Sequence, residues 1–357
     1  MPLDPSRLDR AFALVAGQVA EGRSHASALG VATAARTLRV EAFGAEGIKV
    51  EPESLFLLAS ITKPIVATAV MQLVEEGRLV LSEPLQRYLP AFSPEPAEPG
   101  LPGAEVVTTW HILTHSSGLE DVPLEQLAME QPDRQELLRR ACTGRLRFVP
   151  GTRYEYGSNS FYLLAELIEQ LGRRPFADQL RERLFEPLGM VDTRFDASGA
   201  GARTAPVRGI GLEGERLAMG LHYLAALELP GGGLWGTAED LLRFGRAMLR
   251  GGELDGARVL APSSVALMTR LHTADLLEPG TPPRRPNYGL GWALPGLGGG
   301  LPASGRSFGH SGATGTMLLV DPEHDLVVVF LRNEWDADPF LSDAVIQAVY
   351  GAVLPPG

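Results

Sequence analysis

The chain has 357 residues, of which 45% are hydrophobic and 21% are charged, and it contains 41 glycines and 28 prolines. This composition is typical of a folded globular protein, and a chain of this length buries enough surface to be stable without disulfides. The formal net charge of −11 argues against general affinity for nucleic acid or anionic membranes, so we expect neither as a partner.

The single cysteine, Cys142, excludes an intrachain disulfide and a cysteine zinc cluster. We interpret it as a small apolar filler of a helix. No uninterrupted apolar run approaches the roughly 18 residues that a membrane helix requires. The first residues place Asp4 and Asp9 before the apolar positions and contain no long hydrophobic core, which is unlike a secretory signal. We therefore expect a cytoplasmic protein.

The first predicted elements are a helix and two strands. Residues 6–21 carry apolar side chains at helical spacing. Residues 27–44 alternate between apolar and polar side chains as a pair of strands does, with a break near residues 34–36. Two isolated strands are not stable, so this pair needs partners from elsewhere in the chain.

Helical patterns dominate the middle of the chain, from Ile61 to about Gly252. Segments rich in proline and glycine separate them, including residues 93–103, 278–286 and 295–305. The predicted helices cover residues 61–76, 124–142, 159–171, 175–185 and 238–250.

The end of the chain supplies the missing strands. Residues 315–333 contain two β-rich runs around the turn from Asp321 to Asp325, and a helical pattern follows at 341–350. We therefore predict an α+β fold, in which one antiparallel sheet is built from both chain ends and is flanked by helices. Residues 1–60 and 230–357 would form this discontinuous sheet domain and residues 61–229 a mostly helical domain, with the active site in the crevice between them.

Ser60 and Lys63 lie in an otherwise apolar segment, "FLLASITKPIV", that begins a predicted helix. Residues three apart share one face of a helix and are separated by about 4.5 Å along its axis. A serine hydroxyl becomes a nucleophile when a neighbouring base accepts its proton, and desolvation lowers the pKa of a lysine enough for that role. A serine N-cap beside a lysine that reaches solvent is the alternative, and four residues alone do not decide between them.

Six segments in order resemble the superfamily of penicillin-recognising serine enzymes, in the branch with class C β-lactamases, β-lactamase-fold serine esterases and D-amino-acid peptidases. This resemblance covers nearly the whole chain. It implies a β-lactamase/transpeptidase-like fold and a serine hydrolase that works through an acyl-enzyme. The segments are "LLASITKPIVA", "WHILTHSSGL", "PGTRYEYGSNSFYLLAELIE", "LFEPLGMVDTRF", "PGGGLWGTAEDLLRF" and "FGHSGATGT".

The second motif of that branch is Tyr-x-Asn, and its tyrosine is the usual base that works with the lysine. Tyr156 occupies the first place here, and counting without gaps puts Ser158 in the third. A shift of one residue would give the third place to Asn159, and the sequence leaves both open. The resemblance implies that the Lys63 ammonium stabilises a Tyr156 phenolate. Tyr154 precedes the motif and is expected to pack.

The third motif of the family is Lys-Thr/Ser-Gly on a strand, and here it is His310-Ser311-Gly312. The resemblance implies an oxyanion hole made by the backbone N–H groups of Ser60 and Ala313. It also implies that Gly312 keeps side chains out of the substrate's path. His310 is mostly neutral at pH 7, which weakens the case for substrates with a carboxylate and favours esters. His310 could also donate a hydrogen bond to the Lys63 and Tyr156 network.

We therefore expect a carboxylic ester hydrolase without metal or cofactor, acting on a small ester or amide. A β-lactamase, a D-amino-acid peptidase and an inactive binding protein of this fold are the alternatives. Ser311 in "GHSGA" resembles a nucleophile elbow, but Ala313 breaks that pattern. His111 and His115 have the spacing of a zinc pair, but Ile112 stands where a zincin needs glutamate, so we expect structural roles, with His115 fixing the loop that it begins. The natural acyl group and the oligomeric state do not follow from the sequence.

Overall fold

A computed structural model describes residues 3–98, 100, 103–209, 214–298, 300–335 and 337–355. The α-helices of this part of the chain, numbered α1 to α12, are Pro5–Ala20, Thr62–Glu75, Thr109–Leu113, Leu124–Glu130, Arg134–Thr143, Phe161–Gly172, Phe176–Leu180, Glu186–Leu188, Gly214–Leu227, Ala238–Leu249, Pro262–Met268 and Pro339–Tyr350. Its strands, β1 to β11, are Ala26–Ala32, Thr37–Gly44, Phe56–Leu57, Glu95–Pro96, Arg145–Leu146, Trp235–Gly236, Glu253–Leu254, Ala257–Arg258, Phe308–Gly312, Thr316–Asp321 and Leu326–Arg332.

The main sheet has five antiparallel strands in the order β2-β1-β11-β10-β9. Its centre joins the two chain ends, because β1 pairs with β11 in a register that places Ser27 opposite Arg332. Every residue of β1 and β11 is buried, as expected for strands covered on both faces. The predicted antiparallel sheet from both chain ends is confirmed, and so is the hairpin that joins β10 to β11.

Helices cover the two faces of this sheet. Helices α1 and α12 pack on one face, where Phe12 and Val345 meet Val328 of β11. Helix α10 packs on the other face, and it begins at Thr237, whose side chain accepts a hydrogen bond from the Asp240 N–H. The α10 helix approaches the sheet so closely that a Cβ atom at Gly245 would lie 2.5 Å from a Val327 methyl carbon.

The helical region departs from the prediction between residues 124 and 142. One helix was expected there, but α4 and α5 are separate because Gln131 adopts a left-handed conformation with φ 47° and Pro132 follows it. Asp133 then accepts a hydrogen bond from the Glu136 N–H and begins α5. Predicted helix 175–185 is also composite, since α7 continues into one π-helical turn. Helices α3, α8, α9 and α11 lie outside the predicted helices.

Helix α2 runs through the interior, and every residue from Thr62 to Leu73 is buried, including Lys63. Cys142 is also buried, and desolvation raises the pKa of its thiol to about 11, consistent with a packing role. Within the described ranges, none of the helices has the length and apolar character needed to cross a bilayer.

Candidate active site

Ser60 lies in a single 3₁₀ turn, Ala59–Ile61, that leads into α2. The residue before it, Ala59, has φ 48°, a conformation that is uncommon for a residue with a side chain. Side chains from the sheet hold the segment that precedes this turn, because the Thr314 hydroxyl donates to the Leu57 carbonyl at 2.7 Å and the Thr316 hydroxyl to the Leu58 carbonyl at 2.9 Å. The β9–β10 hairpin therefore fixes the backbone from which Ser60 projects.

The Lys63 side chain is fully buried, which contradicts the alternative of a lysine that reaches solvent. Its Nζ atom lies 3.3 Å from the Ser60 Oγ, 2.9 Å from the Ser158 Oγ and 2.7 Å from the Gly231 carbonyl oxygen. Desolvation lowers the pKa of Lys63 to about 7, although the negative charge of Asp121 partly opposes this. The amine is therefore partly neutral near pH 7 and can accept a proton.

Tyr156 reaches Ser60 from the mouth of the site, and 38% of its surface is exposed. The Ser60 side chain favours ionisation of the Tyr156 hydroxyl, but burial outweighs this effect on its pKa. The Lys63 Nζ lies 4.7 Å from the centre of the Tyr156 ring, so the lysine faces the ring. Desolvation raises the pKa of Tyr156 above its usual range, and the Asp121 charge adds to this. These features favour a protonated phenol over the phenolate that the family resemblance implied.

The structure places Ser158, and not Asn159, beside the lysine. The Ser158 hydroxyl contacts the Lys63 amine, whereas the buried Asn159 Oδ1 has no hydrogen-bond partner in the described part of the chain. Both residues are held through their backbone, because the Asp121 carboxylate accepts hydrogen bonds from the Ser158 N–H at 2.9 Å and the Asn159 N–H at 2.7 Å. Asp121 was not predicted, since no motif or spacing marks it in the sequence.

A chain of hydrogen bonds runs behind Tyr156 through two histidines and Tyr288. The His310 Nδ1 lies 2.7 Å from the Ser311 carbonyl oxygen, which can only accept, so Nδ1 carries the proton and Nε2 accepts from the Tyr288 hydroxyl at 2.9 Å. The Tyr288 oxygen in turn accepts from the His115 Nε2 at 3.3 Å, and the His115 Nδ1 accepts from the Gly157 N–H at 3.3 Å. Each donor in this series of hydrogen bonds therefore has one acceptor.

His115 and His310, the two histidines in this series of hydrogen bonds, are both neutral. Desolvation and the nearby Lys63 lower the pKa of His310 to about 3, and they lower that of His115 well below its usual range. Two expectations change as a result. His310 bonds to Tyr288 and Ser311 instead of donating to the Lys63 and Tyr156 network, and the His115 ring fixes the loop that carries Tyr156.

Gly312 is required by the close approach of β9 to the nucleophile segment. A Cβ atom at this position would lie 2.6 Å from the Leu58 carbonyl oxygen and 3.0 Å from the Ala59 Cβ. The glycine thus lets the strand pack against the residues before Ser60, and its expected role of keeping side chains out of the substrate's path stays a prediction. Ser311 and Ala313 on either side of it are exposed.

A cavity of about 350 Å³ opens beside Ser60. Its lining includes the polar residues Ser60, Asp121, Ser158, Asn159 and Tyr162, together with Ala313 and the glycines at 231–233. Its wall includes the apolar side chains of Leu57, Val122, Pro123, Leu127, Leu224 and Trp335.

His111 and His115 do not converge on a common point. The His111 Nδ1 accepts from the Thr108 N–H at 3.1 Å as part of the cap of α3, whereas the His115 ring points to Tyr288 and Gly157. Among the residues that the structure describes, no group of three or more His, Cys, Asp or Glu side chains is arranged to hold a metal ion.

Comparison with known proteins gives consistent matches over most of the chain. The Beta-lactamase family model matches residues 11–351. Protein Rv1367c of Mycobacterium tuberculosis is 32% identical over 343 residues, which cover 85% of this chain and 83% of that protein. Esterase EstB of Burkholderia gladioli is 30% identical over 346 residues, which cover 85% of this chain and 84% of EstB. The solved structure of EstCE1, a hydrolase with promiscuous acyltransferase activity, is similar with a TM-score of 0.79 at 22% identity and covers 97% of this chain and 99% of its own.

Proposed function

Since the chain belongs to the Beta-lactamase family, we propose that it is a serine hydrolase that cleaves carboxylic esters through an acyl-enzyme on Ser60. The observation that carries this proposal is the position of the Lys63 amine, 3.3 Å from the Ser60 hydroxyl and shielded from water. The similarity of this chain to EstB, which is named an esterase, supports the choice of esters over other acyl substrates.

In the proposed acylation, the Ser60 oxygen attacks the ester carbonyl carbon while the hydroxyl proton passes to the neutral Lys63 amine. The backbone N–H groups of Ser60 and Ala313 stabilise the oxyanion of the tetrahedral intermediate. The C–O bond to the alcohol then breaks. The proton held by Lys63 reaches the departing alkoxide through the Tyr156 hydroxyl, so the alcohol leaves neutral and both side chains regain their starting states.

Deacylation reverses these proton movements with water as the nucleophile. Tyr156 takes a proton from water as it passes its own proton to the neutral Lys63 amine, and the water oxygen attacks the acyl carbon. The Ser60 oxygen leaves and recovers the proton, which releases a carboxylic acid. Ser158 and Gly231 hold the Lys63 amine in place throughout, because each of them accepts one of its N–H groups.

The electrostatics of the third motif favour esters over β-lactams and peptides with a free carboxylate. His310 is neutral, and both of its ring nitrogens are engaged within the protein. It therefore offers no positive charge to a substrate carboxylate, unlike the lysine that usually occupies this place in the family.

A panel of three substrates tests the proposed function. We expect the wild-type protein to turn over p-nitrophenyl butyrate with a higher kcat/KM than a chromogenic cephalosporin or a D-alanyl amide. A higher kcat/KM for the cephalosporin or the amide would contradict the preference for esters. No turnover of any of the three, together with no labelling by a fluorophosphonate probe, would identify an inactive binding protein.

Two further predictions accompany this function. We propose that the sheet part, residues 1–60 and 230–357, and the helical part, residues 61–229, are the two domains that meet at the site. We also propose a cytoplasmic location, which cell fractionation would test.

A further inference from the structure

The described lining of the cavity includes Ser60 but not Tyr156. Ser60 and Ala313 line the cavity, whereas Tyr156, His115 and His310 are not among its described lining residues. Tyr156 instead packs against the His115 ring, with 4.4 Å between the ring centres, and is partly exposed. An ester bound at Ser60 therefore has one half in the cavity and the other half beside Tyr156.

The chemistry decides which half of the ester lies where. The departing alkoxide has to receive a proton, so it must lie within hydrogen-bond reach of the Tyr156 hydroxyl. The carbonyl oxygen has to face the backbone N–H of Ala313, on the cavity side. With these two positions occupied, the acyl chain extends into the cavity and the alcohol extends toward solvent.

The cavity wall selects against charge. Asp121 is the only charged residue among the described lining residues, and both of its carboxylate oxygens already accept backbone N–H groups. The remaining lining side chains are uncharged, and most of them are apolar, among them Leu127, Leu224 and Trp335. An acyl chain that ends in a carboxylate would lose its hydration and meet a like charge there.

From this geometry we infer that the enzyme selects its ester by the acyl group, taking an uncharged apolar acyl chain of several carbons into the cavity beside Leu224, and that it tolerates variation in the alcohol. The inference rests on the proposed esterase function. A volume of about 350 Å³ is near the lower end of the roughly 300–1,000 Å³ usual for ligand sites, which suits an acyl chain longer than acetyl.

Matched substrates test the selectivity of the wild-type protein. We expect kcat/KM for p-nitrophenyl hexanoate to exceed that for the acetate by about tenfold or more, since each buried methylene adds to transition-state binding. The mono-p-nitrophenyl ester of adipic acid has the same chain length with a terminal carboxylate, and we expect it to react about 100-fold more slowly than the hexanoate. Replacing the p-nitrophenyl group of the hexanoate by a naphthyl group should change kcat/KM by less than these factors.

Two variants of helix α9 test the location of the acyl chain. Leu224 lines the cavity, whereas Met219 on the same helix is 63% exposed and is not among the described lining residues. We expect Leu224→Trp to lower the ratio of kcat/KM for the hexanoate to kcat/KM for the acetate by about tenfold or more. Met219→Trp, the matched control, should change neither. Leu224→Ala should shift the optimum toward longer acyl chains, and thermal unfolding reports correct folding in each variant.

The outcomes separate this inference from the function on which it rests. If the acetate and the hexanoate react equally well, or Leu224→Trp lowers both equally, the esterase function stands and the inference is wrong. Adipate monoester turnover equal to that of the hexanoate would also overturn it. If no ester reacts at all, the proposed function is wrong, and the inference is wrong with it.

Discussion

The Lys63 Nζ and the Ser60 Oγ lie 3.3 Å apart on one face of the turn that begins helix α2. A neutral amine has two N–H donors and one lone pair. The Ser158 Oγ at 2.9 Å and the Gly231 carbonyl at 2.7 Å accept the two donors, which leaves the lone pair facing Ser60. This arrangement supports our proposal that Lys63 accepts the first proton.

The pKa of Lys63 predicts the pH dependence of the reaction. Because only the neutral amine accepts a proton, log(kcat/KM) for p-nitrophenyl butyrate should rise with unit slope below pH 7 and level off above a pKa of about 7. Lys63→Arg should abolish turnover at every pH, because a guanidinium stays protonated. A rate that is constant between pH 5 and 9 would contradict Lys63 as the base.

Replacing Asp121 tests the direction in which its charge shifts the titration of Lys63. Its negative charge raises the pKa of Lys63, so Asp121→Asn should move the midpoint of the acid limb to lower pH. The plateau rate should also fall, because an amide has only one oxygen to accept the Ser158 and Asn159 N–H groups. Glu120→Gln removes the same charge from an exposed neighbour and should leave the midpoint in place. A midpoint that moves upward in Asp121→Asn would contradict this electrostatic account.

Tyr288 should be important for stability as well as for the position of Tyr156. Tyr288→Phe leaves the buried His310 Nε2 and His115 Nε2 without their partner, at a cost of about 1–3 kcal/mol in the free energy of unfolding. We also expect kcat/KM to fall, because His115 holds the loop at Gly157. Urea denaturation and ester turnover measure the two effects.

The matched control for that variant is Tyr154→Phe. Tyr154 is buried in the same aromatic cluster, with its ring centre 5.8 Å from that of His115, and its hydroxyl makes no hydrogen bond in the described part of the chain. We expect the free energy of unfolding and kcat/KM of Tyr154→Phe to be close to those of the wild type. Equal losses in the two variants would show that ring packing, and not the hydroxyl of Tyr288, stabilises the site.

Gly312→Ala tests the contact between the sheet and the nucleophile segment. The added methyl group would lie 2.2 Å from the Thr316 Oγ1 and 2.6 Å from the Leu58 carbonyl oxygen, so the Thr316 side chain and the contact with the segment before Ser60 must both shift. We expect a loss of about 1–3 kcal/mol in stability and a lower kcat/KM. Gly305→Ala places its methyl group in open space and should leave stability and kcat/KM unchanged. Wild-type turnover and stability in Gly312→Ala would contradict the close approach.

Local spacing predicted the parts of the site that lie close together in the sequence. Ser60 and Lys63 are three residues apart, and helix geometry alone brings them to one face. The sheet was also predictable, since its strands have strong periodic patterns and the chain ends had no other partners. These features depend on neighbouring residues, which a single sequence contains.

The contacts that set protonation could not be predicted in this way. Asp121 and Tyr288 are far in the chain from Tyr156, and neither lies in a motif that the resemblance covers. The choice between Ser158 and Asn159 depended on which side chain points at Lys63, and this is decided by how Asp121 holds the loop. Burial, which the sequence does not show, is likewise what favours the Lys63 amine over a Tyr156 phenolate as the proposed base.

The most direct test of the central claim is kcat/KM for p-nitrophenyl butyrate in Ser60→Ala beside Ser311→Ala, the serine of the competing elbow pattern. Losing a true nucleophile costs on the order of 10⁶ in rate. We therefore predict that Ser60→Ala has almost no turnover, whereas Ser311→Ala, whose side chain is exposed on β9, stays within about threefold of wild type. Turnover near the wild-type rate in Ser60→Ala would contradict the assignment of Ser60 as the nucleophile.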